Sequence, residues 1–224
     1  MKKLILSALI CVAGFAHAQS QDDELKPVND PLEAINRPVY QFNKHLDTYV
    51  LKPTAQVYSD VTPTLIQKGV SNGLHYIRTP VDVVLFALQG NGEQFSNAMG
   101  RLLLNTLGFG VLDIASEAKI PRLHTNVGET MGHWGVPPGP YVVLPILGGG
   151  SLRATTGKMV DRQFSVQNRW DDELNMTVSA LDVIDTRKQF LKTDNLMTSI
   201  MLDEYSFVRD ILLQREQQQI ENLD

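Results

Sequence analysis

Cysteine is almost missing from this chain: of 224 residues the only one is Cys11. It lies in the apolar centre of the opening segment, so a chain that has lost that segment has no thiol for a disulfide or a thiolate metal site. Positive charge is also scarce. Lys and Arg number 20 against 25 Asp and Glu, for a formal net charge of −5. Without clustered Lys and Arg there is nothing to neutralise a phosphate backbone, and no nucleic-acid partner is expected. Long apolar runs are absent after the opening segment. Val83 to Leu88 is short, and "RLLLNTLGFGVLDIA" is interrupted by Asn105, Thr106 and glycines. Neither reaches the roughly 20 residues of a spanning helix. The repeated alternating segments of a membrane barrel are not seen either.

Catalytic and cofactor motifs are lacking as well. Gly148-Gly149-Gly150 and Gly157-Lys158 have the wrong separation for a phosphate loop, and Met159 stands where Ser or Thr would bind the metal. Gly150-Ser151-Leu152-Arg153 has Arg where a nucleophile elbow needs Gly, so Ser151 reads as a helix cap. His124 and His133 lack the tight spacing of a zinc site and read as loop histidines. The carboxylate runs Asp22-Asp23 and Asp171-Asp172-Glu173 read as solvated. No catalytic residue, metal site or cofactor is expected, and the chain reads as a non-enzyme.

What is present begins with an export signal. Lys2 and Lys3 precede an apolar run from Leu4 to Phe15, and Ala16-His17-Ala18 supplies the small residues of a cleavage site. Cleavage after Ala18 takes the net charge from −5 to −7, because Lys2 and Lys3 leave. Residues 19–29 read as a flexible polar leader, 30–216 as one helical domain and 217–224 as a polar tail.

Helical periodicity dominates the domain. Leu32, Ile35, Val39, Phe42, Leu46 and Tyr49 form one apolar stripe after Asp30 and Pro31, with Pro38 inside and Pro53 expected to end the helix. Ile66, Val70, Leu74 and Ile77 predict a helix stopping before Thr79-Pro80, and a second follows, closed by Gly90. Glu93 to Thr106 and "LGFGVLDIASEA" predict a glycine-broken helical hairpin. "VPPGPYVVLPILGGG" reads as an ordered loop. Further helices are expected from Ser151 to about Asp161, near Glu173–Asp185 and near Thr198–Gln219, the last fraying at its Gln-rich end. The fold class is all-α.

Three features exceed a plain helical domain. Asn36, Tyr40 and Asn43 line a polar stripe beside the apolar one, fitting either helix surface or buried cross-helix hydrogen bonding. "LLLNTLGFGVLDIA" suits a buried hairpin or one lying flat in a membrane leaflet. "GPYVVLPILG" is an apolar, uncharged loop.

Four stretches, "NDPLEAINRPVYQFN", "LLLNTLGFGVLDIA", "GETMGHWGVPPGPYVVLPILGGGSLR" and "YSFVRDILLQRE", resemble in order the signature blocks of the MlaA (VacJ) family, from about Asn29 to Gln217. The resemblance implies a helical, ring-like protein within the Gram-negative outer membrane, with an amphipathic channel. It implies that phospholipid misplaced in the outer leaflet passes through that channel to a periplasmic, MlaC-like lipid carrier, beside a trimeric porin. It marks Asn105, Thr106, Leu107, Gly108, Phe109 and Gly110 as channel-side or gating residues. Asn36, Tyr40, Asn43, Tyr141, Leu144 and Pro145 are further candidates for the lipid route. Members of this family are mostly lipoproteins, but Ile10 before Cys11 is too bulky for a lipidation signal, so this chain is expected to lack the anchor. The competing reading is a soluble periplasmic helical scaffold, for which the apolar hairpin is core. A lipid hydrolase would need a nucleophile such as Ser151 with a base and its orienter.

Overall fold

The computed structural model describes residues 30–191, 194 and 203–221. The signal, leader and Cys11 readings lie outside the described residues. The Asp30 carboxylate accepts the Leu32 N–H at 3.1 Å and opens α1, Glu33–Leu46. A π-helical turn, Asp47–Leu51, carries it into α2, Lys52–Val61, so Pro53 does not end the helix. Proline has no N–H, and its ring crowds the carbonyl four residues back. Widening the turn so that the Lys52 N–H reaches the Asp47 carbonyl relieves that crowding.

The next helix, α3, runs unbroken from Thr64 to Leu88 through Pro80, where the sequence predicts two. Thr79 does not cap a new helix; its hydroxyl donates to the His75 carbonyl at 3.0 Å. Gly90, with φ 73°, closes the segment as expected. Asn91 caps α4, Gly92–Leu107, and Asp113 caps the one-turn α5, Ile114–Glu117, so the expected hairpin has a very short second arm.

The Gly- and Pro-rich segment is more regular than a loop. It holds α6, Val127–His133, and then β1, Tyr141–Leu144, paired antiparallel with β2, Gly148–Ser151, with Tyr141 opposite Ser151 and Leu144 opposite Gly148. At the middle of the three successive glycines the Tyr141 ring occupies the side-chain space. A Cβ on Gly149 would lie 2.0 Å from the Tyr141 hydroxyl. Ser151 caps α7, Leu152–Phe164, its Oγ accepting the Ala154 N–H at 3.1 Å. After a 3₁₀ turn, Val166–Arg169, come α8, Asp172–Phe190, and α9, Glu204–Glu221.

Packing explains why α3 survives its proline. It lies against α4, α6 and α8, and these contacts offset a local cost of about 3 kcal/mol. α1 packs on β1, and α9 packs on β2 and α6, so the first and last described helices meet on the same hairpin. The C-terminal half of α9 therefore docks instead of projecting: the Ser151 N–H donates to Glu216 at 3.0 Å. Among the described residues the two-stranded sheet is the one departure from an all-α fold.

The cores are small. Val83, Phe86 and Ala98 form one; Tyr141, Val143 and Tyr205 form the other. Large apolar side chains are instead found outside, including Ile35, Phe42 and Tyr49 of the predicted α1 stripe, Leu65 of α3, and Leu107, Phe109 and Leu112 around the α4–α5 turn. Among the described residues no helix is long and apolar enough to cross a membrane.

Candidate functional site

The predicted candidates fall into two groups that no hydrogen bond joins among the described residues. The first is a brace on the β-hairpin. Asn36 is 1% exposed, and its carboxamide donates to the Tyr141 carbonyl at 2.9 Å and accepts the Val143 N–H at 3.0 Å. Two turns on, Asn43 repeats this with the Leu144 carbonyl at 2.9 Å and the Ile146 N–H at 2.8 Å. Side-chain amides thus pair with the free edge of β1 as a neighbouring strand would. Tyr40, between them, donates its hydroxyl to Glu204 at 2.9 Å. The polar stripe of α1 faces the hairpin, while its apolar stripe is split: Val39 packs against the Tyr141, Val143 and Tyr205 core, and Ile35, Phe42 and Tyr49 are exposed. Leu144 is half-buried and Pro145 exposed at the hairpin turn.

The second group surrounds the turn after α4. Asn105 is buried. Its carboxamide accepts the Ala115 N–H at 2.9 Å and donates to Asp113 at 3.2 Å. Thr106 meets the Tyr76 hydroxyl at 2.9 Å. Gly110, with φ 72°, lies against the Tyr76 ring, where an added Cβ would come within 2.4 Å. Gly108 is equally tight, with a Cβ meeting Leu112 at 2.8 Å. Substituting either glycine therefore distorts the turn before it can test its motion. Leu107 and Phe109 point outward, Phe109 with φ 54° and 91% exposure.

Behind this turn lies a small charged cleft, lined by Asn105 together with charged residues that the candidates did not include. Arg101 joins Asp113 at 2.6 Å and the Ile120 carbonyl at 2.7 Å, and Arg122 also pairs with Asp113. Burial alone would raise the Asp113 pKa. Hydrogen bonds from Ser116, Arg122 and Asn105 and the charge of Arg101 hold it well below the usual carboxylate range. On the far wall Asp82 accepts from His124 at 2.7 Å and from the Thr125 N–H at 3.2 Å. Burial pulls the His124 pKa down, but the hydrogen bond and charge of Asp82 outweigh it and leave the pKa raised. His75 is pushed down to about 4 by burial and by Arg122 and Arg78. His124 is therefore a specifically partnered residue, not an incidental loop histidine. It also lines a second, larger cavity of about 190 Å³ between α6, α7 and α9, so the two share a wall. The missed signals were single charged or amide residues in apolar helical runs: Asp82 within "VDVVLFAL" and Arg101 four residues before Asn105.

Nothing in this arrangement activates a nucleophile. Ser151 is fully buried with its Oγ committed to the α7 cap, and no group of three or more metal-ligating side chains occurs among the described residues.

The family model for the MlaA lipoprotein matches residues 28–219. The chain belongs to the MlaA family. Its relatives include the intermembrane phospholipid transport system lipoprotein MlaA of Escherichia coli K12, 36% identical over 193 residues, covering 84% of this chain and 76% of the relative. The protein of the same name from Haemophilus influenzae is 32% identical over 170 residues, covering 72% of this chain and 68% of its own length. A solved structure reported as the structural basis for maintenance of bacterial outer membrane lipid asymmetry superposes with a TM-score of 0.77 at 33% identity. It covers 86% of this chain and 99% of its own. The fold expected of an MlaA member, helical and without a spanning helix, is therefore the fold found.

Proposed function

We propose that this chain lies in the outer membrane, takes phospholipid misplaced in the outer leaflet and passes it through a polar-lined route to a periplasmic lipid carrier, with a trimeric porin beside it. Family membership makes it a phospholipid-transport component serving outer-membrane lipid asymmetry, which is a non-enzymatic role.

The observation that carries the finer reading is the inverted polarity. Arg101, Asn105, Asp82, Asp185 and Arg209 are buried, while Ile35, Phe42 and Tyr49 of α1 and Leu107, Phe109 and Leu112 around the α4–α5 turn are exposed. Exposed large apolar side chains of this kind suit lipid better than water. A phospholipid has a charged head and apolar tails, so polar cavities inside an apolar shell offer both surfaces it needs. Short helices can lie in one leaflet without spanning it. In this reading Leu107 and Phe109 project into the acyl region at the mouth of the route, Asn105, Thr106, Gly108 and Gly110 fix the turn, and Asn36, Tyr40, Asn43, Tyr141, Leu144 and Pro145 hold the hairpin that forms its other wall. Cleavage after Ala18, leaving no lipid on Cys11, belongs to the same proposal, so membrane residence rests on the body of the fold.

The test is a deletion strain complemented with the wild type or with Phe109→Asp. Deletion is expected to raise phospholipid at the cell surface, and the wild-type gene to restore it. The variant is expected to accumulate normally, wash out of membranes with carbonate and fail to restore asymmetry. Full complementation by Phe109→Asp would overturn the placement of the turn in lipid. Intact mass of the membrane-bound protein reads the N-terminus: a triacylated chain beginning at Cys11 would overturn the unanchored reading.

A further inference from the structure

The second cavity holds charges of both signs that do not satisfy one another. Arg153 is 8% exposed; its terminal nitrogen donates to the Val136 carbonyl at 2.6 Å, but its Nε is buried without a partner. Glu216 accepts the Ser151 N–H on one carboxylate oxygen, and its other oxygen is buried and unpartnered. Both side chains line this cavity. At its rim Arg215 makes no ion pair among the described residues, and Lys158 has only a long hydrogen bond of 3.3 Å to the Gly149 carbonyl. Leu212 and Ile220 of α9 add an apolar strip.

Opposite charges in one cavity normally close on each other, because a buried donor or acceptor without a partner is costly. Here backbone bonds hold each in place: Arg153 is tied to Val136, and Glu216 to Ser151. Such a pair of fixed, separated, half-satisfied charges fits a ligand that carries both signs itself. A simple anion would satisfy Arg153 and leave Glu216 bare. A simple cation would do the opposite.

We propose that this cavity selects zwitterionic phospho-ammonium headgroups. The phosphate oxygens face Arg153, Lys158 and Arg215, the ammonium faces Glu216, and the first acyl carbons lie along Leu212 and Ile220. The proposal rests on the phospholipid-transport reading and deepens it, since it distinguishes phosphatidylethanolamine from phosphatidylglycerol, whose headgroup offers hydroxyls where Glu216 needs a donor with positive charge. Hydrogen bonds to charged groups are the stronger ones, and losing one corresponds to about a tenfold difference in affinity.

The experiment incubates the purified full chain, stripped of lipid in non-ionic detergent, with equimolar phosphatidylethanolamine and phosphatidylglycerol and reads bound lipid by native mass spectrometry. The wild type is expected to favour phosphatidylethanolamine about tenfold. Glu216→Gln keeps an oxygen for the Ser151 N–H and is expected to bind both lipids about equally. Lys158→Ala with Arg215→Ala is expected to weaken both. Competition on the wild type needs no variant: O-phosphoethanolamine should displace the lipid better than glycerol 3-phosphate does. Equal binding of the two lipids by the wild type, or a preference that survives Glu216→Gln, would overturn headgroup selection and leave transport standing. Binding of neither lipid would overturn the transport reading itself. O-phosphoethanolamine binding as tightly as the whole lipid would show a site for a soluble compound and overturn the lipid assignment.

Discussion

Two turns of this molecule are built alike and anchored differently. The turn after α4 and the turn between β1 and β2 both expose a large apolar residue, Phe109 at 91% and Ile146 at 73%. Both hold that residue at positive φ, 54° and 70°. Both are steadied by an asparagine, Asn105 and Asn43. Behind Asn105, however, stands the ionic cluster of Arg101, Asp113 and Arg122, whereas Asn43 acts alone, as a neutral amide against backbone. The comparison teaches that an exposed apolar tip can be carried by either a stiff or a compliant mount. The ionic mount ties the α4 tip to the cavity wall, while the amide mount ties the hairpin tip only to α1.

The largest expected effect breaks the ionic mount. Asp113→Ala strands Arg101, whose side chain is 7% exposed, and should cost roughly 3–5 kcal/mol in chemical denaturation. Asn43→Ala on the other mount should cost only about 1 kcal/mol, its site being partly open to solvent. Equal losses would end the distinction.

A smaller effect concerns strain. The Leu147 N–H bonds the Pro145 carbonyl at 2.8 Å, so Ile146 is the centre of a γ-turn, a conformation costly for a β-branched residue. Ile146→Gly should raise stability by about 1 kcal/mol. Phe109→Gly should gain less, since its left-handed conformation is milder. On the proposed placement in lipid, Phe109→Gly should also loosen retention in carbonate-washed membranes.

The smallest effect is in pH. The folded pKa of Asp113 is depressed, so its stabilisation is fully present above the ordinary carboxylate value of about 4 and is lost as pH falls through the folded value. Amide exchange followed from pH 5 down through the Asp113 transition should show protection falling first at Gly110, whose N–H bonds the Asn105 carbonyl, and later at Ile146, held by the neutral Asn43. Simultaneous loss would mean that the mounts unfold as one unit.

These mounts mark what a single sequence discloses. The expected Thr79 cap was not formed, but the Ser151 cap was legible because it is local, its Oγ reaching only the Ala154 N–H. The closing Gly90 was legible for the same reason. Pro53 and Pro80 misled, because their cost is local while the packing of α2 and α3 that offsets it comes from distant elements. The α1 stripes were visible as stripes, but that Val39 packs on the hairpin core while Ile35, Phe42 and Tyr49 stay exposed depends on distant partners, to which periodicity is blind. Gly148 to Gly150 did not look like a strand, since the partner strand and the Tyr141 ring that fills the space at Gly149 come from elsewhere. Of the candidate site, Asn36 and Asn43 stood out as amides on one helix face, and Asn105 came only with the family resemblance. Their partners were not legible, because Asn36 lies 105 residues from the carbonyl it binds.

The meeting of both ends on the hairpin also dictates the order of assembly. Asp30 accepts from the Tyr205 hydroxyl across 175 residues of sequence, and Arg37 joins Ser206 and Asp203 beside it. Among the described residues these partners lie in or just before α9, so α1 and the hairpin gain them only once the last helix has been synthesised. On the membrane placement proposed above, greasy surface is on display throughout that interval with no bilayer to receive it, and the time between synthesis and insertion is when the chain is most exposed to aggregation.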